Sequence, residues 1–253
     1  VQIVFLAGGL GTRLSELTTS IPKPMIDIGG LPIIVHIMKY YSYFGFKDFI
    51  ICAGYKQEAI KDYFVNYYRN NANVTIKLKT DEVIVHSTKM DDWTISIIDT
   101  GLNTLTAGRI KQIEKYIDGD TFGLTYSDGL SDVDLHALLN YHNEHGKIAT
   151  LTAVQPKARF GSLKLDENFE LLDFTEKIND NVWINGGFFF FNKQIFNYLD
   201  DDMLEKNVLP KLLKNNQLQA FKHEGFWQCV DNTHDKHVID TLWSKGEAKW
   251  KVW

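Results

Sequence analysis

The sequence predicts an α/β protein built on a mostly parallel central sheet flanked by helices. Three observations carry the prediction. From residue 1 to residue 154, short apolar runs alternate with helix-length stretches, the order in which parallel strands and crossover helices follow one another. The runs contain few polar positions, as strands covered on both faces do. The first two, 1–7 and 48–53, stop at Gly8 and Gly54, the residue type that lets a chain turn sharply at a strand end.

Taken in order, Val1 to Ala7 is the first buried strand. Pro32 to Phe44 reads as a helix, with Pro at its start and Gly45 just past its end. Asp48 to Ala53 is the second strand. Gln57 to Arg69 carries Ile60, Tyr63, Phe64 and Tyr67 at helical spacing. Strands are then predicted over Val74–Leu78, Val83–Val85 and Ile95–Ile98. The alternation resumes with a helix over Thr106–Ile117, a strand over Thr121–Tyr126, a helix over Leu135–Glu144 and a strand over Ile148–Val154. Ser162 to Phe191 reads as several antiparallel strands set to one side, and helices close the chain after Lys193 and after Thr233. The whole is a Rossmann-like sheet with a smaller antiparallel β region. No linker separates two cores, so residues 1–253 are expected to form a single domain.

Composition narrows the function classes. The formal net charge is -5, with no run of basic residues, which argues against wrapping nucleic acid. The longest apolar stretches, Ile33–Val35 and Phe188–Phe191, are far too short to span a bilayer. The apolar start lacks a basic leader and runs into a glycine loop, so it reads as a strand and not a signal peptide. Cys52 and Cys229 form no metal or disulfide pattern and read as free thiols of a cytoplasmic protein. His142 and His145 are three apart, but no third ligand is evident for zinc.

The chemistry begins at Leu6-Ala7-Gly8-Gly9-Leu10-Gly11-Thr12-Arg13, directly after the first strand. Glycines there let backbone N–H groups approach a phosphate, at the strand end where open α/β sheets bind ligands. The loop is neither the dinucleotide fingerprint nor a P-loop, so a dehydrogenase is disfavoured. Arg13 within it, and Lys23 held between Pro22 and Pro24, add two cations suited to a triphosphate. A tight turn and a surface lysine are the plain alternatives.

These segments resemble the signature of the sugar-1-phosphate nucleotidyltransferase family. The resemblance continues through Tyr126-Ser127-Asp128-Gly129, Arg159-Phe160-Gly161, Glu176-Lys177, Asn185-Gly186-Gly187, and Gly225-Phe226-Trp227-Gln228 followed by Asp231. Within the family the likeness is nearest to the branch that transfers cytidylyl groups to glucose 1-phosphate. It implies a nucleotide-binding part over residues 1–155 and an acceptor-binding part over 156–253. Asp128 and Asp231 would hold Mg2+. Leu6, Ala7, Gly8, Gly9, Gly11, Thr12, Arg13 and Lys23 would bind CTP, with Thr106 and Gly108 near the base. Arg109, Gly161, Glu176, Lys177, Asn185 and Gly186 would bind the phosphorylated acceptor. Arg13, Lys23, Asp128 and Asp231 would be catalytic.

The chain departs from the family pattern in two places. Ile178 stands where Pro commonly follows Glu-Lys, and Cys229-Val230-Asp231-Asn232 stands for Pro-Met-Asp-Thr. They keep open a different acceptor, such as phosphoglutamine or another capsule precursor. A catalytically inactive nucleotide sensor is the other alternative. Trp243, Trp250 and Trp253 either pack against the body or form a subunit contact, and a homo-oligomer is expected.

Overall fold

A computed structural model describes residues 1–11, 21–86, 90–156, 162–175 and 182–253. Strand β1 (Ile3–Ala7) precedes a short antiparallel pair, β2 (Asp27–Ile28) and β3 (Leu31–Pro32), then helix α1 (Ile33–Tyr43) and β4 (Asp48–Ala53). Helices α2 (Gln57–Val65) and α3 (Tyr67–Asn71), the hairpin β5 (Val74–Lys77) and β6 (Glu82–Val85), and β7 (Thr94–Asp99) follow. Next come α4 (Thr106–Gln112), β8 (Thr121–Tyr126), β9 (Gly129–Ser131), α5 (Leu135–His145) and β10 (Ala149–Val154). The chain closes with β11 (Ser162–Leu165), β12 (Leu171–Thr175), β13 (Ile184–Asn192), α6 (Leu209–Lys214), β14 (Leu218–His223), β15 (Trp227–Cys229) and α7 (Thr233–Ser244).

The central sheet has seven strands in the order β14-β10-β13-β8-β1-β4-β7. Only β13 runs against its neighbours; the other pairings are parallel. Successive strand residues face opposite sides, and both sides are covered. Ile3, Phe5, Phe188 and Phe190 pack in one core with α1, α5 and α7. Val4, Phe189 and Phe191 pack in the other with α4, α6 and residues 195–208. The run Phe188–Phe191 is therefore apolar throughout because β13 lies inside the sheet.

That placement corrects the expectation that 162–191 would sit to one side. Among the described residues of that stretch, only β11 and β12 stand apart from the central sheet, as an antiparallel pair. The helix expected over 57–69 is broken at Asn66, which adopts φ -95° and ψ 0°. The helix expected to reach Ile117 ends at Gln112 and tightens into a 3-10 turn over Glu114–Tyr116, a common way for a helix to finish.

Burial favours the neutral form of three histidines, and their partners set which ring nitrogen carries the proton. The Trp250 indole donates to His36 Nδ1 (3.2 Å), so Nε2–H donates to the Ile28 carbonyl (2.8 Å). Trp243 stacks with Trp250 and meets His36 edge-on, so these tryptophans pack against the body of the same chain. Lys147 N donates to His145 Nδ1, whose Nε2–H then donates to the Thr150 hydroxyl (2.7 Å). His142 Nε2–H donates to Asn192 Oδ1, leaving Nδ1 to accept from Thr150. Burial lowers the pKa of all three below the ordinary 6.5. The unfolded chain therefore takes up protons first as pH falls through that value, and stability present above it is lost below it. Urea midpoints are expected to drop between pH 7.5 and 5.5, and His142→Gln to show a shallower drop. An equal slope in the variant would remove His142 from this account.

Candidate functional site

The site forms where β1 and β8 end. Gly8 and Gly9 follow β1, and the Ser127 hydroxyl donates to the Leu6 carbonyl (2.8 Å), tying the turn after β8 to β1. Beside them opens a cavity of about 540 Å³, of the size that small ligands occupy. Leu6 to Gly11, Lys23, Leu102 to Thr106, Arg109, Tyr126, Asp128 and Met203 line it.

Asp128 and Asp231 are brought together by a small ladder. Strand β15 pairs with β9 so that Cys229 faces Gly129, and Val230 N donates to the Asp128 carbonyl (2.9 Å). Asp128 precedes β9 and Asp231 follows β15, so their side chains reach one place. The Trp227 indole donates to the Gly186 carbonyl (2.7 Å), which holds β15 to β13. On the far side, Asn232 caps α7 by accepting from Asp235 N (2.9 Å), and the buried Asp235 carboxylate accepts from Asp231 N (3.1 Å). The departure at 232 is thus an exchange of one good capping side chain for another.

Lys23 completes the cluster. Pro24 is buried and the segment forms a 3-10 turn. The ammonium lies 2.5 Å from Asp128 Oδ2 and 2.6 Å from Asp231 Oδ1. All three side chains are largely shielded, at 16%, 25% and 20% exposure. Burial alone would lower the lysine pKa, but Asp128 and then Asp231 raise it above its ordinary value. Two carboxylates already share one cation here. Their oxygens, beside a glycine loop, fit a hard divalent ion that takes its remaining ligands from phosphates and water.

Arg109, expected to bind the acceptor, lines the cavity and also has a structural task. It is buried on α4 and faces the glycine loop. Its Nη1 donates to Ala53 O, Thr100 Oγ1 and Gly101 O, and its Nη2 to Gly8 O and Leu102 O. The guanidinium is a brace between three strand ends and the loop. A Cβ at Gly8 would lie 2.1 Å from Nη1, so the glycine makes room for the brace. Arg109→Leu and Gly8→Ala are each expected to cost about 3 kcal/mol, the scale of stranding buried acceptors. An unchanged urea midpoint in Arg109→Leu would return the residue to ligand binding.

Asn185 lies on β13, where Oδ1 accepts from Gly187 N and Nδ2 donates to the Tyr126 hydroxyl (3.2 Å). Gly186 packs against Val154, and Gly187 adopts φ +81°, a conformation that favours glycine. Thr106 lines the cavity. Gly108, expected near the base, is buried against Asp201, whose Oδ1 a Cβ would approach to 2.3 Å. Thr12, Arg13, Gly161, Glu176 and Lys177, with Arg159, Phe160 and Ile178, lie outside the described residues. Asp235 escaped the sequence reading although Asn232-x-x-Asp235 resembles a capping-box spacing at a helix start. Glu205, which accepts from Tyr126 and Thr106, had no local signal.

The family profile described as "Nucleotidyl transferase" matches residues 2–237. The chain is 45% identical to the glucose-1-phosphate cytidylyltransferase of Salmonella typhi, over all of both chains. It is 41% identical to the probable glucose-1-phosphate cytidylyltransferase of Bacillus subtilis (strain 168), again over all of both. Among solved structures, HddC from Yersinia pseudotuberculosis is similar with a TM-score of 0.69 and 25% identity, covering 96% of this chain and 99% of that one.

Proposed function

This chain belongs to the nucleotidyl transferase family, and on that premise we propose that it transfers the cytidylyl group of CTP to glucose 1-phosphate, giving a CDP-linked sugar and pyrophosphate for surface polysaccharide synthesis. It is a nucleotidyltransferase. The observation that carries the reading is the convergence of Lys23, Asp128 and Asp231 at a cavity edged by the glycine loop. Full-length identities of 45% and 41% to proteins named for CTP and glucose 1-phosphate chemistry support the substrates. The capping role of Asn232 makes one departure from the family pattern compatible with them.

The acceptor's phosphate oxygen attacks the α-phosphorus, a new P–O bond forms, and the bond to the β-phosphate oxygen breaks to release pyrophosphate. A phosphate monoester is already anionic at neutral pH, so the site needs no general base. Its task is to hold two polyanions in line and neutralise them. Backbone N–H groups of Gly8, Gly9 and Gly11, with Thr12 and Arg13, cradle the triphosphate. Asp128 and Asp231 would hold Mg2+, which would supply charge neutralisation at the phosphates. Lys23, beside both carboxylates, would direct its ammonium to the phosphates. Glu176, Lys177, Asn185 and Gly161 bind the acceptor. Residues 1–155 form the nucleotide-binding part and 156–253 the acceptor-binding part of one domain. The β5–β6 hairpin exposes Ile76 and Leu78, the latter at 90%, and supports a homo-oligomer through that hairpin. No helix among the described residues is long and apolar enough to cross a membrane.

A panel of nucleoside triphosphates against glucose 1-phosphate, phosphoglutamine and other phosphorylated precursors tests the proposal by Mg2+-dependent pyrophosphate release. The highest kcat/KM is expected for CTP with glucose 1-phosphate. Turnover of another acceptor with negligible use of glucose 1-phosphate would transfer the assignment to that acceptor; no release with any pair would leave a nucleotide sensor.

A further inference from the structure

We infer that Glu205 is a specificity-determining residue: it accepts a hydrogen bond from the Thr106 hydroxyl and leaves that oxygen facing the nucleotide as an acceptor, so that the site favours a base that donates at C4. The inference rests on the nucleotidyl-transfer reading above and extends it to the choice of base.

Glu205 sits in a π turn over Leu204–Val208, directly after Met203 of the cavity wall. Such turns are rare and occur often at functional sites. Its Oε2 accepts from Thr106 Oγ1 (3.0 Å) and its Oε1 from the Tyr126 hydroxyl (2.5 Å). A carboxylate has no proton to give, so both hydroxyls must be the donors. Thr106 Oγ1 also accepts from Leu204 N (2.8 Å). Its proton is thus committed to Glu205 and one lone pair to the backbone, leaving a second lone pair and no donor. Tyr126 is committed too, because its oxygen accepts from Asn185 Nδ2.

Thr106 and Tyr126 both line the cavity that holds the glycine loop and Asp128. A triphosphate on the loop leaves the stretch from Leu102 to Thr106 for the nucleoside. Cytosine carries an amino donor at C4 and uracil a carbonyl acceptor. The amino group can donate to Thr106 Oγ1, whereas the carbonyl would meet an oxygen with no proton to offer. A mismatch of this kind is a strong discriminator, because it leaves polar groups unpaired. In Glu205→Gln, an amide N–H turned toward Thr106 would release the threonine proton to point into the cavity. The Tyr126 donation would survive on the amide oxygen.

The experiment measures kcat/KM for CTP and for UTP with glucose 1-phosphate, using the full chain as wild type, Glu205→Gln, Thr106→Val and Thr106→Ser. Melting temperatures establish that each variant is folded. Wild type and Thr106→Ser are expected to prefer CTP, while Glu205→Gln and Thr106→Val lower the CTP/UTP ratio by about tenfold or more. A purely structural role would reduce both efficiencies together and leave the ratio unmoved. A wild-type preference for CTP that persists within twofold in both Glu205→Gln and Thr106→Val overturns the inference alone. A wild type that uses both triphosphates equally overturns the base assignment with it, and one that releases no pyrophosphate overturns the proposed function itself.

Discussion

Asp128→Asn and Asp231→Asn are each expected to lower turnover by about a thousandfold while the protein stays folded, the upper range for losing one positioned group that stabilises developing charge. Both substitutions keep the side-chain size and remove a charge from the pair that shares a cation in the structure. The link between the two segments runs through backbone groups, the β9–β15 ladder and the bond from Val230 N to the Asp128 carbonyl, which Asn leaves intact. The effect should therefore appear in turnover and in Mg2+ dependence. Steady-state pyrophosphate release across a Mg2+ titration, beside thermal unfolding, checks this. If both variants keep near-normal rates at limiting Mg2+, the carboxylates are not the metal ligands.

Lys23→Ala is expected to lower turnover by about a hundredfold to a thousandfold and also to alter the metal-free protein. With the ammonium gone, two largely shielded carboxylates face each other without their shared cation. The metal-free variant should then melt below wild type, and Mg2+ should raise its melting temperature more than that of wild type, since the ion replaces the missing charge. A melting temperature indifferent to Mg2+ in the variant would mean that the two carboxylates do not act as one site. A loss confined to the KM for glucose 1-phosphate would move Lys23 to the acceptor.

Much of this molecule was legible in its amino-acid order. Chain-local periodicity marked β1, β4, β8 and β10, because a buried strand must be apolar at consecutive positions. The glycine loop was legible because only glycine leaves room at Gly8 for the buried Arg109. Lys23 stood out because two prolines restrict its backbone. The acceptor residues Gly161, Glu176 and Lys177, with Thr12, rest on motif likeness alone.

Other features were decided only by the assembled chain. Phe188–Phe191 is equally compatible with a side sheet and a central strand until β8 and β10 close on either side of it. Arg109 reads as a phosphate ligand in the motif, and the fold adds a bracing task, because five oxygen acceptors converge on it from the ends of β1, β4 and β7. Glu205 carries no signal of its own, since its meaning lies in which hydroxyls reach it. Lys23 and Asp231 are 208 positions apart, and nothing local to either predicts their contact. Sequence patterns report the period of a single element and which backbone positions are restricted. Distance between elements is set by ladder register and by what packs between them, so the sequence by itself determined the strands, the loop and the cation beside it, and the tertiary structure decided which charges share a site.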